Sequence, residues 1–290
     1  MRGFNLTRDF PPVGATDCHI HVVYPKYRMA SPRAYTPKIV RADAARQMMD
    51  ACGIDRVVLV QMSVFGADNG AMHEAMAELG AAARGVVQLD GRESAETLDA
   101  MHAAGVRGVR INLHSTSAND ISAATRRLEQ TAETCMTRGW HVQLFAGPHV
   151  IMDLQDVLND LAAPVVLDHF GLLPVARRGG PEERAVLALL RGGNTWVKLS
   201  APYRLDGGED ETAVAALARD LQAAAPDHVV WASDWPHTPA HSGIATEAPE
   251  EMDYRPLDTP AMVQTVARWF PDAAVQEQIL VANPARLYDF

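Results

Sequence analysis

The sequence is poor in cysteine, and the few thiols are far apart. Its 290 residues include three cysteines, Cys18, Cys52 and Cys135, an odd number without close spacing. This pattern excludes a disulfide-stabilised scaffold and predicts free thiols in a reducing compartment.

Long apolar runs are absent as well. No stretch approaches the ~20 consecutive apolar residues that cross a bilayer. The opening residues, MRGFNLTRDFPPVG, are polar and contain two prolines, so they lack the apolar run of a secretory signal. The sequence therefore predicts a cytoplasmic protein with no membrane partner.

The sequence has fewer basic than acidic residues. Lysine and arginine total 26 against 36 aspartates and glutamates, which gives a formal net charge of −10. Affinity for phosphate backbones comes largely from clustered cations, so this composition argues against a nucleic-acid partner. No glycine-rich phosphate loop follows any predicted strand. An anionic substrate would therefore depend on a few local arginines.

Eight short β-branched apolar runs alternate with helical stretches along the chain. The helical stretches include 41–53, which we expect to end at Gly53, and 69–84. The predicted strands begin about 22 to 40 residues apart, the size of a βα unit. We expect an α/β fold, a single-domain (β/α)8 TIM barrel over 1–290, with 237–260 forming a loop over the barrel mouth. The eight runs are 15–22, 56–62, 85–90, 106–113, 140–145, 164–170, 195–201 and 228–234.

Polar side chains stand at the ends of three of these strands, where the active sites of such barrels lie. His19 and His21 are two positions apart on the first strand and face the same side. His169 ends the sixth strand and Asp234 ends the eighth. Each residue alone reads as a hydrogen-bonded core residue or a turn former. Their convergence on one rim favours a functional site.

The chain resembles the amidohydrolase superfamily, and within it the branch of pyrone-dicarboxylate lactonases. The similar segments are DCHIHV, YTP at 35–37, GVRGVRINL, VVLDHFG, YRL at 203–205, WASDWPH and NPARLY, which together span nearly the whole chain. The resemblance implies a hydrolase in which water attacks a lactone carbonyl, in the catabolism of aromatic or sugar acids. It assigns Asp234 as the general base and gives carbonyl polarisation or oxyanion stabilisation to His19, His21 and His169.

Two arginines are candidates for holding a substrate carboxylate. An arginine at a barrel rim forms either a bidentate pair with a carboxylate or a salt bridge between loops. Arg110 and Arg204 match carboxylate-binding positions of the lactonase branch, and Ser63 and Tyr35 would add hydrogen bonds. His237 lies close enough in sequence to be a further substrate contact. The predicted partner is a small anionic lactone, and the oligomeric state stays open.

The same histidines and aspartate are also candidate metal ligands. His19, His21, His169 and Asp234 would suit one Zn²⁺ with an open position for water. Metal-dependent members of the superfamily usually add a ligand at the end of the fifth strand, where this chain has Phe145. Because the lactonase branch works without a metal, we favour metal independence and keep a divalent ion, Zn²⁺, as the alternative.

The chain departs from the lactonase branch at two positions. It reads His114-Ser115-Thr116 where the branch has a further basic residue, and Phe145 where the branch has a tyrosine. These losses predict a substrate with a single carboxylate or a sugar-derived lactone. The alternative functions are a zinc-dependent decarboxylase of an aromatic or unsaturated acid, a sugar-acid lactone isomerase, and a non-catalytic acid-binding protein.

Overall fold

The computed structural model describes residues 10–114, 120–240 and 245–290. Three sequence predictions fall partly outside them. These concern the polar start over 1–9, the departure at Ser115 and Thr116, and positions 241–244 of the loop over the barrel mouth.

Eight parallel strands form one sheet in which each strand pairs with the next along the chain. The sheet closes because the backbone NH of Asp234 donates to His19 O at 3.0 Å and that of His21 donates to Trp235 O at 2.8 Å. With helices between the strands, this confirms the predicted (β/α)8 barrel. The strands are β1 Thr16–Ile20, β2 Arg56–Val60, β3 Ala83–Val87, β4 Val106–Asn112, β5 His141–Phe145, β6 Val165–Leu167, β7 Thr195–Ser200 and β8 Val229–Ala232.

The helices surround the strands, and the final stretch of the chain is helical. The first helix ends at Cys52, as the following glycine predicts, because Gly53 adopts the left-handed conformation at φ 67°. A short π-helix, Gln278–Ala282, joins the last two α-helices. The α-helices are α1 Ala42–Cys52, α2 Gly70–Leu79, α3 Ala95–Ala103, α4 Ile121–Met136, α5 Pro148–Asp153, α6 Gln155–Asp160, α7 Pro181–Arg191, α8 Glu211–Ala224, α9 Thr259–Trp269, α10 Ala273–Glu277 and α11 Asn283–Tyr288.

Strand β3 begins earlier than the sequence predicts. The expected range was 85–90, whereas the strand covers Ala83–Val87 and includes Arg84. The Arg84 side chain donates to Asp289 O and lies 4.6 Å from the centre of the Phe290 ring. Contacts with the far end of the chain thus accommodate in a strand a charged residue that the local pattern assigns to the end of the helical stretch 69–84.

Side chains of the strands alternate between the helix layer and the barrel interior. Regular alternation along β1 predicts Cys18 on the strand face opposite His19 and His21, as a buried inert thiol, but Cys18 packs with Val58 and Val86 in the interior. The pairing of β1 with β2 shifts between Asp17 and Ile20, and this extra residue changes the facing of Cys18. The thiol is buried as expected, and burial raises its pKa well above the ordinary value.

The loops above the strands are tied together on one side of the barrel. Thr36–Pro37 pairs in parallel with Glu251–Met252, and the backbones of Arg33 and Thr246 also pair. Both connections join the segment after β1 to the segment after β8. Among the described helices, none is long and apolar enough to cross a bilayer.

Candidate active site

The ends of three strands bring together the four side chains that the sequence singled out. His19 Nε2 lies 3.3 Å from His21 Nε2. One carboxylate oxygen of Asp234, Oδ1, is 3.7 Å from His19 Nε2, 3.6 Å from His21 Nε2 and 4.0 Å from His169 Nε2. All four residues are buried. The predicted convergence on one rim is therefore present.

The two oxygens of Asp234 have different surroundings. Oδ2 accepts hydrogen bonds from Tyr203 OH at 2.8 Å and from Arg204 Nε and Nη2 at 2.9 and 2.7 Å. Oδ1 is buried and accepts no hydrogen bond from the described residues. An orphaned buried carboxylate oxygen is costly unless a ligand or water completes it. Oδ1 therefore marks the place where a reacting molecule can bind.

Two of these residues have strained backbones. Asp234 has φ 63° and His169 has φ 50°, in the left-handed region that non-glycine residues rarely occupy. Such strain persists where the surrounding structure enforces it, and it clusters at functional sites. Here it turns both side chains into the barrel mouth as the strands end.

A second layer of polar side chains lies directly beneath these residues. Its central residue, Lys198, was not among those predicted from the sequence. Lys198 is fully buried in the middle of β7, and its ammonium lies 2.7 Å from Gln143 Oε1 and 3.5 Å from Asp168 Oδ1. Asp168 Oδ2 also lies 3.4 Å from Arg110 Nε. A lysine inside an otherwise apolar strand was the available signal, because lysine is almost never fully buried unless paired.

One arrangement of protons satisfies the ring nitrogens of both histidines on β1. Lys198 Nζ lies 3.4 Å from His19 Nδ1, and His21 Nδ1 lies 2.7 Å from Val60 O. If Lys198 donates to His19, then His19 Nε2–H donates to His21 Nε2 and His21 Nδ1–H donates to the carbonyl. The chain of donors begins at the buried ammonium and ends at the backbone of β2.

Burial sets the charges in the site. Burial lowers the pKa of His19 well below its ordinary value, helped by the nearby Lys198, and it lowers the pKa of His169 to about 4. Burial alone would raise the pKa of Asp234, but Arg204 and His169 outweigh it and the pKa falls well below the ordinary value. At neutral pH the site therefore holds the Asp234 carboxylate beside the neutral imidazoles of His19 and His169.

A cavity of about 250 Å³ opens above these groups, and most of the predicted substrate-binding residues line it. Arg110, Arg204, Ser63 and Tyr35 are among them, together with His21, His169 and Asp234. Thr238 and Ala245, from either end of the partly described loop after β8, also line it. This gives the cavity cations and hydroxyls next to the Asp234 carboxylate.

The two arginines differ in how they are held. Arg110 Nη1 contacts Gln61 O at 3.3 Å and Ser63 Oγ at 3.4 Å, whereas Arg204 pairs with Asp234 and donates to Thr238 Oγ1. Neither Arg110 Nη2 nor Arg204 Nη1 makes a hydrogen bond within the described chain. Each arginine is thus fixed by internal contacts and keeps one nitrogen for a ligand.

His237 is placed differently from our expectation. It has φ 69° and its Nε2 lies 2.8 Å from Thr259 Oγ1, at the start of α9. Its ring centre lies 6.1 Å from that of Tyr203, and it is absent from the described wall of the cavity. The imidazole therefore lies behind Tyr203, and a substrate contact by His237 stays a prediction.

The donor set at the mouth has the composition of a metal site. Ligand atoms of His19, His21 and Asp234 all lie within 4.8 Å of one another. The orphaned Oδ1 and the two imidazoles would fit one divalent ion. The end of β5, where a further ligand would stand, is Phe145.

Comparison with known proteins identifies the family. The amidohydrolase family model matches residues 16–290. The chain is 33% identical to 2-pyrone-4,6-dicarboxylate hydrolase of Comamonas testosteroni over 290 residues, which cover 96% of this chain and 90% of the relative. It is 29% identical to D-galactarolactone isomerase of Agrobacterium fabrum over 281 residues, which cover 96% of this chain and 91% of the relative.

A solved structure agrees with these matches. The crystal structure of a protein from Agrobacterium tumefaciens in its apo form superimposes with a TM-score of 0.81 at 28% identity, covering 96% of this chain and 97% of that chain. Fold, site geometry and sequence relatives thus agree, and the chain belongs to the amidohydrolase family.

Proposed function

We propose that this enzyme hydrolyses a small lactone that carries a carboxylate. The observation that carries the proposal is the unpartnered Oδ1 of Asp234, which faces three imidazoles at the floor of a cavity bordered by arginines. The similarity to a pyrone-dicarboxylate hydrolase supports the same substrate class.

Asp234 acts on water in this proposal. A water bound against Oδ1 loses a proton to the carboxylate as its oxygen attacks the lactone carbonyl. When the tetrahedral intermediate collapses, the acyl carbon–ring oxygen bond breaks and Asp234 returns the proton to the departing oxygen. Arg204 and Tyr203 hold Oδ2 throughout, so Oδ1 keeps its direction.

His169 supplies a donor for the developing oxyanion. Its Nδ1 lies 2.8 Å from Ser200 Oγ. If the serine hydroxyl donates to Nδ1, the neutral ring carries its proton on Nε2, the atom that faces Asp234 and the cavity. A preorganised donor in a site shielded from water stabilises charge that appears only in the transition state.

The substrate carboxylate binds to the arginines. The free Nη2 of Arg110 and the free Nη1 of Arg204 are charge-assisted donors, and Ser63 and Tyr35 line the same wall. These contacts position the ring so that its carbonyl lies between Asp234 and His169.

The reaction needs no metal in this proposal. A divalent ion held by His19, His21 and Asp234 would supply an activated water. However, Lys198 Nζ lies 3.4 Å from His19 Nδ1 and 3.5 Å from Asp168 Oδ1, so a buried amino group paired with a carboxylate already stands beneath the imidazoles. Activity that survives exhaustive dialysis against a chelator is the expected result. Loss of activity with restoration by Zn²⁺ would contradict it and favour the zinc-dependent decarboxylase alternative if carbon dioxide is released.

Isomerisation is the second candidate, because one similar protein is a lactone isomerase. An isomerase would use Asp234 to move a proton without adding water. Product mass separates the two reactions, since hydrolysis adds the mass of one water molecule and isomerisation adds none.

The decisive experiment replaces the proposed base. Asp234→Asn should lower kcat by about 10²–10⁴-fold, the usual contribution of a general base, while leaving binding of a carboxylate ligand measurable. Asp206→Asn, the same chemical change at an exposed position, is the matched control and should leave kcat unchanged. Near-normal turnover by Asp234→Asn would refute the proposed mechanism.

The three thiols bear on the cellular compartment that we propose. Cys18, Cys52 and Cys135 are free and buried. Unpaired thiols support the prediction of a cytoplasmic enzyme whose partner is a small anionic molecule.

A further inference from the structure

One of the four arginines in the described wall of the cavity has no partner in the described chain. Arg127 lies on α4, is half-buried, and makes no hydrogen bond or ion pair with a described residue. Within residues 10–114, 120–240 and 245–290, no carboxylate forms an ion pair with this guanidinium.

Each of the other arginines of the cavity has at least one described partner. Arg110 lies against Asp168, and Arg204 is paired with Asp234. Arg33 donates to Ala30 O and to Thr36 Oγ1. Burial lowers the pKa of Arg127, and no anion opposes this effect, whereas Asp234 contributes to raising the pKa of Arg204. Arg127 therefore gains the most from an anion brought by a ligand.

Arg127 also connects two cavities. A second cavity, of about 400 Å³, lies against α4, and Arg110 and Arg127 belong to the described walls of both cavities. Its two acidic residues accept hydrogen bonds from the backbone of their own loop, Glu93 from Asp90 and Gly91, and Asp90 from Arg92. A ligand in the first cavity thus has both Arg110 and Arg127 in the wall around it.

We propose that Arg127 forms a second anionic subsite, so that the substrate is a lactone with two anionic groups. This inference rests on the proposed lactonase function and revises the single-carboxylate expectation. The chain lacks the basic residue expected after β4, and Arg127, on the helix that follows, supplies a cation to the same cavity. The first anionic group binds to Arg110 and Arg204, and the second binds to Arg127.

The test uses two non-reactive ligands, benzoate and isophthalate, which share a planar six-membered ring and carry one and two carboxylates. Isothermal titration calorimetry on the whole protein should show that Arg127→Gln weakens isophthalate binding about tenfold or more, the usual effect of losing a charge-assisted hydrogen bond. Benzoate binding should change less than twofold. Arg127→Lys should restore part of the affinity.

Arg126→Gln is the matched control, because it removes the same charge from an exposed position on the same helix. It should leave both affinities unchanged. An equal loss for both ligands in Arg127→Gln, or an equal loss in Arg126→Gln, would overturn the subsite and leave the lactonase proposal standing. Selective loss of isophthalate binding with no lactone hydrolysed by the wild type would instead support the subsite and refute the lactonase.

Discussion

We expect the stability of the protein to depend strongly on one buried side chain beneath the candidate site, that of Lys198. Its ammonium lies near Asp168, His19 and Gln143 without access to solvent. Removing one partner of a buried ion pair leaves an uncompensated charge, which costs more than the net value of the pair.

We therefore expect Lys198→Met to lower the free energy of unfolding by about 3–5 kcal/mol. Adding Asp168→Asn should recover part of the loss, because the amide no longer needs a cation. Urea denaturation of the two single variants and the double variant measures the coupling. Lys38→Met, at an exposed ion pair with Asp253, is the control and should leave stability unchanged. A fully stable Lys198→Met protein would contradict this account.

The residues that the sequence could not assign depend on contacts across the sheet. His19, His21, His169 and Asp234 were predictable because each stands at or near the end of an apolar run. Lys198 was not, since its partner Gln143 lies two strands away and the contact depends on how the sheet curls into a barrel. The direction of His237 depends on one left-handed φ angle, which neighbouring residues do not reveal.

At the scale of elements, the eight-strand pattern predicted the barrel because buried parallel strands are apolar on both faces. The boundary of β3 was wrong because Arg84 is accommodated by the distant residues Asp289 and Phe290. The face of Cys18 was wrong because one extra residue in β1 shifts the alternation. Local periodicity thus predicts elements, while their edges depend on long-range packing.

Two strand glycines allow a matched test of packing between elements. A Cβ at Gly108 in β4 would lie 2.5 Å from Nε2 of His141 in β5, which is buried in the barrel interior. A Cβ at Gly85 in β3 would lie 2.5 Å from Sδ of Met76 in α2, a flexible side chain that can move.

Gly108→Ala should therefore reduce stability by about 1–3 kcal/mol, and Gly85→Ala should reduce it less. Thermal and urea unfolding of both variants measures the difference. Adding His141→Ala to Gly108→Ala should remove the clash and narrow the gap. If Gly85→Ala lowers stability more than Gly108→Ala does, the barrel interior around His141 adapts more easily than its close contact with Gly108 implies.

At the scale of the whole molecule, buried neutral histidines make stability depend on pH. Burial lowers the pKa of His141 to about 3 and those of His169 and His237 to about 4. An unfolded histidine binds its proton near pH 6.5. Between about pH 4 and 6.5 the unfolded chain therefore binds more protons, and stability rises with pH. Asp17, whose pKa burial raises to about 6, opposes this trend with one group.

We expect the protein to be clearly less stable at pH 5 than at pH 7, as measured by urea unfolding at constant ionic strength. The histidine contribution is fully present above pH 6.5 and is lost as the pH falls through about 4. His141→Leu removes one of the three groups without touching the cavity wall, so its stability should vary less with pH. Equal stability of the wild type at both pH values would refute this explanation.

The closure of the barrel has a consequence for biosynthesis. The seam between β1 and the residues after β8 joins the earliest and latest barrel strands, and Asp234 meets His19 only there. A nascent chain still emerging from the ribosome has no functional centre, however much of its structure has formed. Turnover thus begins only at the final docking event, and enzymatic activity reports on complete maturation.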